Sequence, residues 1–283
     1  MIQWYPGHMA KARRILEKDL KLVDLVVEVL DARIPLSSRN PDLDDILKDK
    51  QRIISLNKID LANPVITKEW KNFFQDGFQV VEINSLTGQG IKLLLKLIKD
   101  ECNKLNKAII EKGRNKRDIR IMIIGVPNVG KSALINALAG SNITKTANRP
   151  GVTRGRQWIT IARDIELLDT PGILWPKFDD EEVGYKLAIT GAIRDQVFDE
   201  ELVAYKLIEY ILKIDQEILE DKYQITIDTE EPYDILPLIA RKTGCLMSGG
   251  KVDRLRTSKK LISTFRNGKL GKISLEKTGD VKE

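Results

Sequence analysis

The chain has 283 residues, of which 42% are hydrophobic and 31% are charged. This length is enough for two domains, and the composition is that of a protein with a packed core. No apolar run approaches the roughly 18–20 residues of a membrane span, and the N-terminus lacks the pattern of a secretory signal. The chain has two cysteines and one histidine, which exclude a disulfide framework and disfavour a zinc site. We therefore expect a reduced, cytoplasmic protein without membrane contact.

Positive charge is concentrated at the end of the chain. The net charge is +6, but residues 241–283 carry 12 Lys or Arg against 4 Asp or Glu. Such a segment favours a polyanionic partner, because each neutralised phosphate releases counterions. A solvated helix face kept soluble by lysines explains the same charge equally well.

Strands alternate with helices along the first 170 residues. A β-branched run at 22–32 predicts a buried strand, and two further strands are predicted at 52–57 and 78–83. Leucines at helical spacing predict a helix over 90–112. A strand over 118–125, a helix over 131–138 and a strand pair over 157–162 and 165–169 follow. This alternation predicts a parallel or mixed α/β sheet.

The pattern becomes helical after Trp175. Helices are predicted over 181–194, 201–220, 232–242 and 257–265, and only 223–228 has the pattern of a strand. A domain boundary is therefore expected near 175–180.

The strongest motif is Gly125-Val-Pro-Asn-Val-Gly-Lys-Ser132, which matches the P-loop pattern GxxxxGK[ST]. It lies between a predicted strand and a predicted helix. Its glycines let backbone N–H groups converge on phosphate oxygens. Lys131 would reach the β- and γ-phosphates, and the Ser132 hydroxyl would bind Mg²⁺. A chance glycine-rich turn is the alternative, which the flanking elements disfavour.

Two segments after the P-loop fit a γ-phosphate sensor. Asp169-Thr-Pro-Gly172 follows an apolar strand, so Asp169 would hold Mg²⁺ and the Gly172 N–H would face the γ-phosphate. Thr153, after the turn at Pro150-Gly151, would supply a second Mg²⁺ ligand, although Thr144 and Thr146 compete for this role.

Two further segments at strand ends fit a guanine site. The Asp60 carboxylate of Asn57-Lys-Ile-Asp60 accepts two hydrogen bonds from guanine N1–H and N2–H₂, a donor pair that adenine lacks. Asn57 would bond the ring edge and the Lys58 stem would pack over the base. The segment Asn84-Ser-Leu-Thr-Gly88 would point a backbone N–H at guanine O6. Open α/β sheets bind ligands at these strand ends.

The order of these motifs is unusual, because the base-reading segment precedes the P-loop. The chain resembles circularly permuted GTPases, specifically the ribosome biogenesis GTPase family called YlqF or RbgA. The resemblance rests on the P-loop and on five other segments: Trp4-Tyr-Pro-Gly-His-Met9, Asp31-Ala-Arg33, Pro150-Gly-Val-Thr153, Asp169-Thr-Pro-Gly172 and Phe265-Arg-Asn-Gly-Lys-Leu-Gly271. It implies a circularly permuted P-loop GTPase domain over 1–177 and a smaller, mostly helical, basic RNA-binding domain over 178–283.

The resemblance also implies a function. It predicts a GTP-hydrolysing assembly factor for the large ribosomal subunit, stimulated by the subunit, that binds rRNA through its basic C-terminal domain and leaves after hydrolysis. GTP or GDP, Mg²⁺ and K⁺ are the implied cofactors, and no DNA contact is expected.

The water that attacks GTP needs a positioning group. Ile173 stands where related enzymes have a glutamine, so the resemblance points to His8 instead; packing or RNA contact by Trp4, Tyr5 and His8 is the alternative. Asn128 would coordinate K⁺, which supplies positive charge to the transition state. Four arginines are rival sources of that charge: Arg33, Arg149, Arg154 and Arg156.

The predicted sites can be collected by role. The catalytic residues are His8, Lys131 and Thr153; the Mg²⁺ ligands are Ser132, Thr153 and Asp169; and the K⁺ ligand is Asn128. The predicted GTP-binding residues are Asn57, Lys58, Asp60, Asn84, Ser85, Leu86, Asn128, Val129, Gly130, Lys131, Ser132, Ala133, Thr153, Asp169 and Gly172.

Two other function classes compete with the switch. A small-molecule kinase or transport enzyme has no need to read guanine, so Asp60 disfavours it. An RNA-binding scaffold with a regulatory, weakly active GTP site is disfavoured by the complete set of phosphate and Mg²⁺ residues.

Overall fold

The computed structural model describes residues 14, 16–48, 50–140, 158–168 and 180–281. The chain divides into two compact units. The first contains the described residues up to 168 together with 276–281, and the second contains 180–275. The segment 276–281 was predicted to be part of the second domain, but it belongs to the first unit.

The described part of the first unit forms a six-stranded sheet in the order β3-β2-β1-β4-β6-β5. Neighbouring strands are parallel, except that β5 runs antiparallel to β6. All seven residues of β1 are buried, as expected for a central parallel strand covered on both faces. The predicted parallel or mixed sheet is confirmed. The strands are β1 (Leu25–Asp31), β2 (Gln51–Asn57), β3 (Gln79–Glu82), β4 (Ile119–Ile124), β5 (Trp158–Ala162) and β6 (Ile165–Leu168).

Helices follow most of these strands: α1 (Asp42–Ile46), α2 (Pro64–Gln75), α3 (Ile91–Glu111) and α4 (Lys131–Ala139). The helix α2 was not predicted, although it carries the fully buried Trp70. Trp70 and Phe74 pack with Leu30 and Leu56 of the sheet. The helix α3 packs against β3 and β4, and α4 against β4 and β5.

The described part of the second unit is helical: α5 (Glu181–Thr190), α6 (Glu200–Ile214), α7 (Glu217–Tyr223), α8 (Pro232–Thr243) and α9 (Arg254–Arg266). The helix α9 packs against α5, α6 and α8. Leu261, Ile262 and Phe265 are buried, as the helical spacing predicted, whereas Leu255 is 47% exposed and lies outside that core.

Two predictions for this unit are wrong. The helix predicted over 201–220 is broken at Asp215, where the backbone is extended and the carboxylate accepts from the Glu217 N–H. The segment 223–228 is not a strand: Tyr223 ends α7, and Gln224 takes a left-handed conformation with φ of 52°.

Among the described helices, none has the length and apolar composition needed to cross a bilayer.

The direction in which successive strands are added to the sheet reverses between β1 and β4. From β1 the chain builds outward through β2 and β3, and from β4 it builds to the other side through β6. Ligands of open α/β sheets bind at such a switch point, beyond the carboxyl ends of the strands. Asp31 and Asn57 end β1 and β2, and Gly125 follows β4 at the same edge.

Candidate nucleotide-binding site

The P-loop connects β4 to α4, as the sequence predicted. Its backbone has positive φ at Gly125 (153°), Asn128 (57°) and Gly130 (105°). A Cβ at Gly125 would lie 2.5 Å from the Val29 carbonyl oxygen, so only glycine allows the loop to leave the sheet this close to β1. Alternation of left-handed and right-handed residues turns N–H groups inward, which is the geometry of an anion-binding nest.

The helix α4 begins at the lysine of the motif. Lys131 is 7% exposed, and its Nζ donates to the carbonyl oxygens of Gly125 (3.1 Å) and Val126 (2.9 Å). Its ammonium therefore lies under the loop whose N–H groups would hold phosphates. Ser132 is exposed at the first turn of α4, where helix N–H groups have no partner within the helix.

The other P-loop residues of the predicted site differ in exposure. Asn128 is exposed, Ala133 is half-buried and Val129 is buried. Val129 can therefore contribute only backbone groups to a ligand.

Asn57 joins three loops at the edge of the sheet. Its Nδ2 donates to the Val129 carbonyl oxygen of the P-loop (2.7 Å) and to Ser85 Oγ (3.1 Å), and its Oδ1 accepts from the Ser85 N–H (3.0 Å). This side chain is 1% exposed. Asn57 was predicted to bond the base edge; in the structure its side chain connects the end of β2 and the loop after β3 to the P-loop.

Lys58 and Asp60 follow Asn57 and are more accessible. Lys58 is half-buried, has a left-handed backbone with φ of 63°, and places Nζ 3.0 Å from Asp31 Oδ2. Asp60 is exposed, so its carboxylate is accessible to a donor pair on a ligand.

The loop after β3 is closed by its own hydrogen bonds. Asn84 Oδ1 accepts from the N–H groups of Leu86 (2.9 Å) and Thr87 (3.1 Å), and the Asn84 carbonyl oxygen accepts from the Gly88 N–H. Ser85 is nearly buried, whereas Leu86 is 85% exposed. A contact between the Leu86 N–H and guanine O6 would therefore share that donor with the Asn84 carboxamide.

The Asp31-Ala-Arg33 segment lies beside the base-reading loop. Asp31 accepts from Arg33 Nε (2.9 Å), Arg33 Nη2 (2.7 Å) and the Arg33 N–H (3.1 Å). Burial alone would raise the pKa of the Asp31 carboxyl, but the charges of Arg33 and Lys58 outweigh it and hold the pKa well below its usual range. Arg33 is 1% exposed. It is therefore buried in an ion pair with Asp31.

Several predicted residues lie outside the described residues. They include the catalytic His8 and Thr153, the Mg²⁺ ligand Asp169 and the γ-phosphate contact Gly172. The rival arginines Arg149, Arg154 and Arg156 also lie outside. Within the described ranges, no group of three His, Cys, Asp or Glu side chains could hold a metal ion. Ser132 alone of the predicted Mg²⁺ ligands is described, and its exposed hydroxyl at the P-loop fits a ligand of phosphate-bound Mg²⁺.

The basic residues of the second unit include two arginines that contact other residues of the unit, and a set of exposed cations. Arg254 stacks over Tyr233, 3.7 Å from the ring centroid, and donates to Tyr205 Oη. Arg266 donates to the Ala188 and Ile189 carbonyl oxygens and so supports the fold. The remaining exposed cations include Arg241, Lys242, Lys251, Arg256, Lys269 and Lys272.

Comparisons with known proteins agree with this geometry. A family model described as 50S ribosome-binding GTPase matches residues 120–235. Ribosome biogenesis GTPase A of Bacillus licheniformis is 47% identical over 286 residues, covering 99% of this chain and 100% of that protein. The chain belongs to the ribosome biogenesis GTPase A family.

More distant members of the family agree as well. The Thermotoga maritima protein is 33% identical over 99% of this chain and 96% of its own length. The crystal structure of GNP-bound YlqF from T. maritima has a TM-score of 0.69 at 30% identity, and the match covers 96% of this chain and all of that one. A GDP-bound YlqF structure has a TM-score of 0.67. The predicted family, the circularly permuted P-loop fold with its helical C-terminal domain, and the enzyme class of a GTPase are confirmed.

Sequence reasoning missed the contacts that organise this family site. It did not predict the bond from Asn57 to Val129, nor the ion pair between Asp31 and Lys58. The one signal in the sequence is a polar residue at the end of each of two strands, Asp31 and Asn57. These two residues can be recognised as neighbours only when the strand register is known.

Proposed function

We propose that this chain is a GTP-hydrolysing assembly factor for the large ribosomal subunit that acts as a nucleotide-gated switch. The observation that carries the proposal is the Asn57 side chain, which joins the base-reading loops to the P-loop. Guanine and triphosphate would thus be held by one connected set of loops. The names of the relatives, ribosome biogenesis GTPase A, support the subunit as partner.

GTP would lie across the edge of the sheet. Its phosphates would contact the backbone of 128–133 and the Lys131 ammonium, and its guanine would lie between Lys58 and the loop at 84–86, with Asp60 bonded to N1–H and N2–H₂. Mg²⁺ held by Ser132, Thr153 and Asp169 would neutralise charge that develops on the phosphates. The Gly172 N–H would contact the γ-phosphate.

Hydrolysis would use groups at both ends of this site. His8 would orient the attacking water, Lys131 and Thr153 would stabilise the transferring phosphoryl group, and K⁺ bound by Asn128 would add positive charge. Equal turnover in potassium and sodium buffers would contradict the part assigned to K⁺.

The basic second unit would bind rRNA. Its exposed cations suit contact with a phosphate backbone, and the Arg254–Tyr233 stack offers a planar cation beside an aromatic ring. The segments around Thr153 and Asp169 lie in the chain just before this unit, so rearrangement after hydrolysis would reach it directly and release the protein from the subunit.

The guanine assignment is tested by changing one carboxylate. We expect calorimetry to show tight GDP binding and at least about 100-fold weaker ADP binding, because adenine leaves Asp60 unpaired. Asp60→Asn should shift preference to xanthosine diphosphate, whose O2 accepts from the new amide where guanine has a donor. Equal affinity for ADP and GDP in the unaltered chain would disprove the proposed function.

The partner assignment is tested with purified large ribosomal subunits. We expect the subunits to accelerate GTP turnover and their binding to weaken steeply as salt rises. Arg256→Gln in the second unit should reduce the salt dependence, whereas Lys104→Gln, an exposed change on α3 of the first unit, should leave it unchanged. Binding that ignores salt and both substitutions would contradict rRNA contact by this unit.

A further inference from the structure

The end of β1 contacts the base-reading segment through side chain and backbone. Asp31 Oδ2 lies 3.0 Å from Lys58 Nζ, and the Asp31 side chain is 3% exposed against 21% for Lys58. Next to it, the Ala32 N–H donates to the Asn57 carbonyl oxygen at 2.8 Å. Asp31 and Ala32 therefore contact Lys58 and Asn57, the two residues that precede Ile59 and Asp60 in the loop.

The conformation of Lys58 requires such support. Its φ of 63° lies in the left-handed region, which a residue with a long side chain adopts at a cost. Conformations of this kind persist when neighbouring contacts determine them. Ala32 bonds the carbonyl oxygen of the Asn57–Lys58 peptide, and Asp31 pairs with the end of the Lys58 side chain, so the two contacts supply that determination.

Asp31 is itself held in a fixed orientation. Arg33 donates to both of its carboxylate oxygens, and the Asp31 N–H donates to Ser38 Oγ at 3.0 Å. The lowered pKa of its carboxyl keeps the group ionised at neutral pH. The Lys58 ammonium therefore forms an ion pair with a carboxylate whose orientation is fixed.

We propose that Asp31 is a positioning residue for guanine nucleotides: it fixes the Lys58 side chain so that the aliphatic stem forms the surface on which the base stacks. This rests on the proposed function, since it assumes that the base lies at Lys58. Arg33 serves the same purpose one step further away, by fixing the Asp31 carboxylate. Without Asp31 the four-carbon stem would regain its rotamer freedom, and the base would have to order it on binding.

The proposal separates affinity from selectivity. Asp31 acts on the stacking surface, whereas Asp60 reads the guanine N2 amine. Loss of Asp31 should therefore weaken the binding of GDP and the binding of inosine diphosphate (IDP), which lacks that amine, by the same factor. Loss of the Asp60 carboxylate should instead remove the preference for GDP over IDP.

A double-mutant cycle tests the coupling to Lys58. The variants are Asp31→Asn, Lys58→Met, which keeps an apolar stem of similar length, and both together, with GDP affinity measured by calorimetry. We expect Asp31→Asn to weaken GDP about tenfold in the unaltered chain, the loss of one partly buried ion pair, and less than twofold beside Lys58→Met. An equal loss in both backgrounds, or none in the first, would overturn the proposal.

A second set of variants controls for effects of these substitutions on folding. Asp31→Asn leaves Arg33 with a weakened partner, so the cycle is repeated with Arg33→Met present throughout, which removes the buried guanidinium together with the carboxylate. Coupling between positions 31 and 58 should persist there, although smaller because Asp31 has lost the contacts from Arg33, and its complete disappearance would show that Asp31 acts through the fold alone. Failure of the unaltered chain to prefer GDP over ADP would refute the proposed function, an outcome distinct from additive losses at 31 and 58.

Discussion

Single atoms decide how closely the loops of this site approach one another. The Asn57 carboxamide lies between the P-loop and the loop after β3, and Gly130 faces it with φ of 105°. A Cβ at Gly130 would lie 2.3 Å from Asn57 Nδ2 and 3.2 Å from Ser85 Oγ. The second glycine of the P-loop is therefore needed here for contact with the base-reading loop as well as for the turn.

Gly130→Ala should disrupt this joint. The added methyl group clashes with Asn57 and the left-handed backbone adds strain, so we expect the free energy of unfolding to fall by about 2–4 kcal/mol and GDP binding to be lost. Urea unfolding and calorimetry measure the two effects. Gly77→Ala is the matched control, because a Cβ at Gly77 meets nothing within 4 Å, and it should change stability by less than about 0.5 kcal/mol. Similar behaviour of both variants would contradict the role of Gly130.

The elements of the fold depend on where each helix begins and ends. The helix α2 begins after Asn63, whose side chain accepts from the Val65 and Ile66 N–H groups, and Pro64 occupies its first position. The sequence carries this start signal, an asparagine directly before a proline at the first helical position, so α2 could have been predicted from it. In contrast, 223–228 has a strand pattern but lies in a unit whose described elements are helices, so it has no strand to pair with.

Asn63→Ala should destabilise α2 by about 1 kcal/mol, because two N–H groups lose their acceptor. Urea unfolding followed by tryptophan fluorescence measures the change, since Trp70 lies on this helix. Asn63→Asp keeps an acceptor at the same position and should retain stability. If the alanine variant is as stable as the aspartate variant, the cap does not stabilise this helix.

At the largest scale, the described part of the chain passes from the first unit into the second and then returns to the first. Glu276, the first residue after the second unit, is 2% exposed. Its carboxylate accepts from the Leu36 and Ser37 N–H groups and from the Ser37 hydroxyl, and its carbonyl oxygen accepts from Trp70 Nε1. Glu276 therefore supplies hydrogen-bond acceptors to the loop that follows Asp31, although the two lie near opposite ends of the sequence.

Glu276→Ala should open that loop locally. The buried Ser37 N–H and the partly buried Leu36 N–H lose their acceptor, which costs about 2 kcal/mol, so we expect hydrogen exchange at Leu36 and Ser37 to accelerate about 30-fold. Lys277→Ala changes the neighbouring exposed side chain and should leave exchange at both amides unaltered. Unchanged protection in the Glu276 variant would show that the tail does not support the loop.

Local patterns in the sequence were enough to predict the type of fold and to locate the P-loop. The P-loop with its flanking strand and helix, Asp60 after a strand, and the alternation of elements are local patterns, because hydrogen bonding and burial within a strand or helix depend on near neighbours. The tertiary structure decided which polar groups meet: Asn57 with Val129, 72 residues away, and Ser37 with Glu276, 239 residues away. Such pairs depend on strand order and register, and these follow from packing of the whole unit, which no local pattern encodes.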